Sequence, residues 1–215
     1  PMWSADPPAG GTASDTAVEA SIRPVTLDDI VGLERYEAMR DELRQRVIAH
    51  KRSRRVAVGP ELTFVFENHH TVYFQIQEML RAERISELDA VRAELAVYNA
   101  LLPQPGELSA TLLIEITDQS RVAERLLEFL GIDEATALTV GEQRIAAEFE
   151  PGRSREDKLS AVQYVRFSLP AAARSAFQQP GVAARLVVEL PNYRHAAGLD
   201  GAVRASLAGD LSEAP

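Results

Sequence analysis

The sequence predicts an α+β domain: an antiparallel sheet, drawn mainly from the second half of the chain, packed against helices from the first half. Three observations carry this expectation. Apolar residues recur at helical spacing through residues 33–51, 70–84 and 86–102. From Leu108 onward they alternate at period two in several short runs. Consecutive runs are joined by short turns, which favours antiparallel pairing over a doubly wound sheet.

Residues 1–21 read as a disordered tail, and 22–215 as a single α+β domain. The tail, PMWSADPPAGGTASDTAVEAS, holds three prolines and an adjacent glycine pair, and it buries too little apolar surface to offset the entropy of ordering. It has neither a positive leader nor a continuous apolar stretch, so it is not a secretory signal, and a cytoplasmic protein is expected. Trp3 is its one large anchor-like side chain. Thr26 with Asp29 then makes a T-x-x-D cap, with Asp where Glu or Gln is usual. Leu33, Tyr36, Met39, Leu43 and Val47 give one long helix over 33–51, ending in a basic run that suits the negative end of the helix dipole.

Val56–Val58 and Leu62–Phe66 are strands around the Gly59-Pro60 turn, and Asn68 caps a helix over 70–84. Ser86 caps the next helix, which Pro103-Gln104-Pro105-Gly106 stops. Leu108, Ala110, Leu112, Ile114 and Ile116 line one face of a long strand. Asp118 caps a helix over 119–130, with Gly131 at its end. Strands are expected near 136–140, 143–149, 160–168 and 183–190, with a polar hairpin at Glu150–Lys158 and short helices at Ala171–Gln178 and Gly201–Ala208.

Composition bounds the chemistry. A chain of 215 residues with 46% hydrophobic and 26% charged residues can bury a core without staples. It has no cysteine, which excludes disulfides, iron–sulfur ligation, thiolate haem and cysteine nucleophiles. No apolar run approaches the roughly 20 residues of a membrane span. The net charge of −9 repels nucleic acid and anionic membrane, although residues 23–55 carry nine bases against six acids. The basic run His50–Arg55 lacks interleaved aromatics and a reader motif, so a helix end pairing with nearby acids is its ordinary reading. Specific nucleic-acid binding is not expected. Nucleotide-binding glycine loops and G-x-S-x-G are absent.

Two candidate sites remain. His69 and His70 lie where a strand meets a helix N-terminus, which disfavours the imidazolium and leaves a neutral, ligand-competent ring. Glu67 and His195, with Glu78 or Glu83, could complete an iron or zinc site. Spacing argues against it, because adjacent histidines diverge on a helix or a strand and H-x-x-x-H does not occur. The second candidate is the polar face of helix 71–84, where Gln75, Gln77, Glu78, Arg81 and Arg84 crowd together for ligand or partner recognition. A solvated face laced with salt bridges is the bland alternative. Tyr193 and His195 share one face of an extended chain and add a further ligand-facing pair.

At FENHHTVYFQIQEMLRAERI (Phe66–Ile85) and PGELSATLLIEI (Pro105–Ile116) the chain resembles a bacterial family, the uncharacterised domain of unknown function 3501. AEFEPGRSREDKLSAVQYVRF and PNYRH match the same pattern, and the resemblance spans about residues 23–211. It implies no activity. Family genes lie beside rubrerythrin-like diiron proteins and iron–sulfur oxidoreductases, which implies a role near peroxide defence or electron transfer. Two readings follow: an accessory protein that docks on a redox partner, or a metal- or small-ligand-binding enzyme or sensor near His69, His70 and helix 71–84. The oligomeric state is left open, and a homodimer is compatible with the sequence.

Overall fold

The computed structural model describes residues 22–152, 154–155 and 158–212; the tail with Trp3 lies outside them, as does part of the 150–158 connection. Helices α1 (Leu33–Arg52), α2 (His69–Ala82) and α3 (Leu88–Asn99) occupy the first half, with α4 (Val122–Glu128), α5 (Ile132–Ala135), α6 (Ala171–Gln178) and α7 (Gly201–Ser212) in the second. The strands are β1 (Arg55–Val58), β2 (Leu62–Phe66), β3 (Glu107–Ile114), β4 (Thr136–Val140), β5 (Gln143–Ala146), β6 (Glu148–Phe149), β7 (Ser154–Arg155), β8 (Lys158–Leu159), β9 (Val162–Ser168), β10 (Ala184–Leu190) and β11 (Tyr193–Gly198). The fold is α+β, with every strand pairing antiparallel.

Two main sheets form rather than one. The first runs β1-β2-β3-β9-β6 and the second β11-β10-β4-β5; β7 and β8 make a separate hairpin. Alternation explains how they meet. Phe64 and Phe66 on β2, Leu108 and Leu112 on β3, and Val165 and Phe167 on β9 face Leu138, Ile145, Leu186 and Val188 of the second sheet in one buried core. At one margin the chain itself joins the sheets, since β5 ends at Ala146 and β6 begins two residues later. Ala147 still donates to Thr136. At the other margin β1 packs beside β11. Leu207 and Leu211 of α7 enter the same core.

The outer face of the first sheet is covered. A second core, built from Val25, Val72, Ile76, Leu80, Val91, Leu95, Leu101 and Leu102, joins α2, α3 and the leading segment, and Tyr164 of β9 packs against it. Two amides hold that leading segment. Asn99 accepts from the Val25 N–H and donates to its carbonyl, both at 2.8 Å. Gln77 does the same for Val31, at 3.2 and 3.3 Å. Each side chain mimics one rung of a β-ladder, so both backbone groups are satisfied.

The departures from the sequence expectations are local. The Thr26–Asp29 cap forms, with the Thr26 N–H 2.8 Å from Asp29 Oδ2. The helix expected over 119–130 is a 3-10 turn at Gln119–Arg121 followed by α4, and Gly131, at φ +83°, opens α5 instead of closing a helix. The strand expected over 143–149 breaks at Ala147, where it changes sheets. Ser86 caps nothing; α3 begins at Leu88 behind Glu87. Beyond Asn192 the chain returns as β11, and α7 runs four residues past Ala208.

Candidate functional site

The exit of β2 builds a polar cluster. Asn68 caps α2 by accepting from the Thr71 N–H at 3.3 Å, and the Thr71 hydroxyl accepts from the Asn68 N–H at 3.0 Å. The Glu67 side chain lies between sheet and helix, 3% exposed. It accepts from Thr111 at 2.6 Å, from Gln75 at 3.1 Å and from the Thr71 hydroxyl. A buried carboxylate with this many donors is held by hydrogen bonds in place of water.

Three histidines line up beside it. His50 comes from the last turn of α1, and its ring lies 5.4 Å from that of His70; His69 lies 5.6 Å beyond and stacks on Tyr73. Burial pushes His50 down to about 4, helped by the nearby Arg54 charge. Burial also lowers His69. Both rings are therefore neutral at pH 7. His50 Nε2 pairs with Asn68 Oδ1 at 3.2 Å and His69 Nδ1 with the Arg23 carbonyl at 3.0 Å, so each of these nitrogens carries its proton. Asn68 Nδ2 is buried with no hydrogen-bond partner among the described residues.

The polar face of α2 turns toward α1. Glu78 accepts from the Tyr36 hydroxyl and from two nitrogens of Arg40, each at 2.7 Å. The Arg40 guanidinium holds Glu78 down at about 2, while burial and then Glu78 push the Tyr36 phenol upward. Arg81 pairs with Glu37 at 2.5 Å. Gln77 is fully buried on Val31, and the half-buried Gln75 donates to Glu67. Arg84 is exposed at the helix end with a positive φ of 54°. Four of these five side chains are thus committed to neighbours within the chain.

His195 and Tyr193 lie elsewhere. They pack on Gly59, at the turn end of the β1–β2 hairpin, whereas Glu67, His69 and His70 follow its other end. Tyr193 is 4% exposed; its hydroxyl donates to the Val58 carbonyl at 2.7 Å and accepts from the Glu61 N–H at 3.1 Å. It links the second sheet to the β1–β2 turn. The proposed ligand set of Glu67, His69, His70 and His195 is not brought together. Among the described residues no group of three or more His, Asp or Glu side chains is placed to hold a metal.

Sequence reasoning missed two features. Arg54 is fully buried, with all five of its N–H donors engaged: the carbonyls of Phe66 and Glu67, the Ser206 hydroxyl, and both oxygens of Asp210. The basic run signalled a pairing, but its partner is 156 residues away. The second feature is the outer face of the second sheet, where Arg144, Arg185 and Arg194 are exposed. Register places Ala146, Ala137, Val187 and Ala196 side by side between them. The Arg144–Glu189 ion pair, at 2.8 Å, reaches across Ala137, which is 1% exposed. Only the pairing order of the strands assembles this row.

A family model described as a protein of unknown function (DUF3501) matches residues 24–211. The chain belongs to this family. The DUF3501 match takes in every residue of both buried cores, from Val25 to Leu211. A crystal structure from Burkholderia pseudomallei K96243, described as a novel protein of unknown function, is 35% identical. The match covers 88% of this chain and 100% of that one, with a TM-score of 0.82. No curated protein matches. Among the described residues, no helix of this DUF3501 member is long and apolar enough to cross a membrane.

Proposed function

We propose that the chain is an accessory, partner-binding protein, and that an acidic protein surface docks on the outer face of the second sheet. One observation carries the reading: Arg185 and Arg194 stand exposed on that face, without ion-pair partners among the described residues, in a chain of net charge −9. Val187 and Ala196 lie between Arg185 and Arg194, so a partner can approach closely beside the Arg144–Glu189 pair. Field of the opposite sign to the rest of the molecule orients an acidic partner and raises its on-rate. The setting is the redox or peroxide-defence context that the family resemblance implies, with a rubrerythrin-like or iron–sulfur protein as partner. Lacking cysteine, the chain leaves any cluster to that partner.

The test is a calorimetric titration with a purified rubrerythrin-like diiron protein. We expect a complex with a Kd on the order of 1–10 μM that weakens with salt. The double reversal Arg185→Glu with Arg194→Glu should weaken it about tenfold or more and leave the thermal midpoint unchanged. No complex at about 100 μM, or equal binding by the reversed variant, sinks this reading.

A second reading keeps the site near His69, His70 and helix 71–84 for a metal or small ligand. It is favoured by the His50–His70–His69 row and by Asn68 Nδ2, which has no hydrogen-bond partner among the described residues. Under it, purified protein retains stoichiometric iron or zinc and loses it on His70→Ala. The accessory reading expects trace metal only.

A further inference from the structure

Helix α6, AAARSAFQ, has two faces. Ala173 and Phe177, four residues apart, are fully buried in the main core. Ala171, Arg174, Ser175 and Gln178 share the opposite stripe. With Leu211 and Ser212 from the last turn of α7 they line an open groove of about 350 Å³. The volume falls within the range of small-molecule sites.

Arg174 is the one charged side chain in this lining. Among the described residues, Arg40, Arg54, Arg81, Arg125, Arg166 and Arg204 are also partly or fully withdrawn from solvent. Each of those six donates to a carboxylate or to backbone carbonyls. Arg174 is half-buried too, yet its side chain makes no hydrogen bond or ion pair among the described residues. Gly106 explains how it is seated without an acceptor. At φ +83° this residue favours glycine, and an added Cβ would lie 2.8 Å from a guanidinium nitrogen of Arg174 and 3.3 Å from its Cζ. The guanidinium therefore rests against the backbone just before β3, with its N–H donors unmatched. A half-buried cation is screened less than an exposed one, so it gains more from an anion.

The rest of the lining sets the size and charge of that anion. Gln178 donates to the Ser212 hydroxyl at 3.0 Å, and Ser212 donates to the Ala208 carbonyl at 2.7 Å, which holds the Gln178 amide across the groove. Ser175 brings a hydroxyl next to the cation, and Ala171 and Leu211 bring a small apolar surface. The last turn of α7 adds the negative end of its dipole. One guanidinium opposed by that partial charge matches a single negative charge rather than a dianion. We propose that the groove binds a monocarboxylate on a short apolar stem. Arg174 donates to both carboxylate oxygens, the Ser175 hydroxyl donates to one of them, and the stem lies on Ala171 and Leu211. This site goes beyond partner docking and uses none of the residues of that face.

The probes are n-butyrate for a free acid, N-acetyl-glutamate methylamide for an acidic side chain, inorganic sulfate as the dianion and n-butylammonium as the cationic control. Each is titrated into the full chain. Two-dimensional NMR follows the amides of Arg174, Ser175 and Ser212 and the Nε–H of Arg174. At least one carboxylate should shift these resonances with a Kd below about 10 mM, sulfate should bind more weakly, and butylammonium should shift none of them. The tighter of the two carboxylates identifies the source. Arg174 has no hydrogen bond within the chain to lose, so Arg174→Gln should keep the thermal midpoint and weaken binding at least about fivefold. The Nε–H shift of the parent chain tests the contact without any substitution. The proposal is overturned if neither carboxylate shifts these resonances by about 10 mM, if sulfate binds more tightly than both, if butylammonium shifts them equally, or if folded Arg174→Gln binds within about fivefold of the parent. The Arg185→Glu, Arg194→Glu variant should bind these probes as the parent does, so partner docking and this groove fail separately.

Discussion

Tyr193 shows how one side chain can decide whether two sheets stay joined. Its hydroxyl is bonded at once to the Val58 carbonyl and the Glu61 N–H. Removing it leaves two backbone groups of a tight turn without a protein partner, at a cost of about 1–3 kcal/mol. Tyr193→Phe should therefore lower unfolding stability by that amount in urea denaturation, with the slope unchanged. Gly59 makes the approach possible. At φ +73° it already favours glycine, and an added Cβ would lie 2.6 Å from the His195 ring. Gly59→Ala should cost more than Tyr193→Phe, about 3–4 kcal/mol, because strain and displacement of the β11 end act together. Arg54 sets the larger stake. Its pair with Asp210 lies at 0% and 1% side-chain exposure, where desolvation nearly cancels attraction. Breaking one side is another matter: Asp210→Asn leaves a buried guanidinium short of its counter-charge and should cost about 3–5 kcal/mol by the same measurement.

Helix α2 separates two kinds of polar residue that look alike in sequence. Gln77 is fully buried and closes both backbone groups of Val31, whereas Arg81 meets Glu37 at a solvated edge. Gln77→Ala should lower stability by about 2–3 kcal/mol, since it strands the Val31 N–H and carbonyl and leaves a void. Arg81→Ala should leave the denaturation midpoint essentially unchanged, as exposed ion pairs contribute little. If the two variants behave alike, the amide clamp is not what holds the leading segment. Helix α2 and strand β3 were legible because one apolar stripe, or one alternating face, suffices to place them. Gly131 misled because a glycine with positive φ ends one helix or begins another equally well. β11 was hidden because Tyr193 is its one buried inward residue, so its pattern hardly alternates. The site was less legible than the fold for a related reason. Sequence shows which residues are polar, but Gln77 meets Val31 across 46 residues and Arg54 meets Asp210 across 156. The basic face of the second sheet exists only after β10 pairs with both β4 and β11.

At the scale of the whole molecule, the polar clusters between α1, α2 and the first sheet make stability depend on pH in two steps. His50 has its pKa lowered from 6.5 to about 4, chiefly by burial. The folded chain therefore binds fewer protons than the unfolded chain between those values. Its contribution is complete above pH 6.5 and is lost as pH falls toward 4, a loss of about 1–2 kcal/mol once solvent screening of a partly exposed ring is allowed for. His69 shifts in the same direction for the same first cause and adds to this step. The carboxylates act later. Glu78, lowered from 4.5 to about 2 by Arg40, and Asp29, lowered by Arg23, stabilise the fold above their ordinary range and lose that contribution as pH drops through their folded values. Urea denaturation at stepped pH should show a first decline between about pH 6.5 and 4 and a second below about 4.5. His50→Gln supplies the control. Gln can still donate to Asn68 Oδ1 but cannot titrate, so the first decline should shrink while the second remains. An unchanged first decline in that variant would place its origin outside the His50–Asn68 pair and remove the structural basis argued for it.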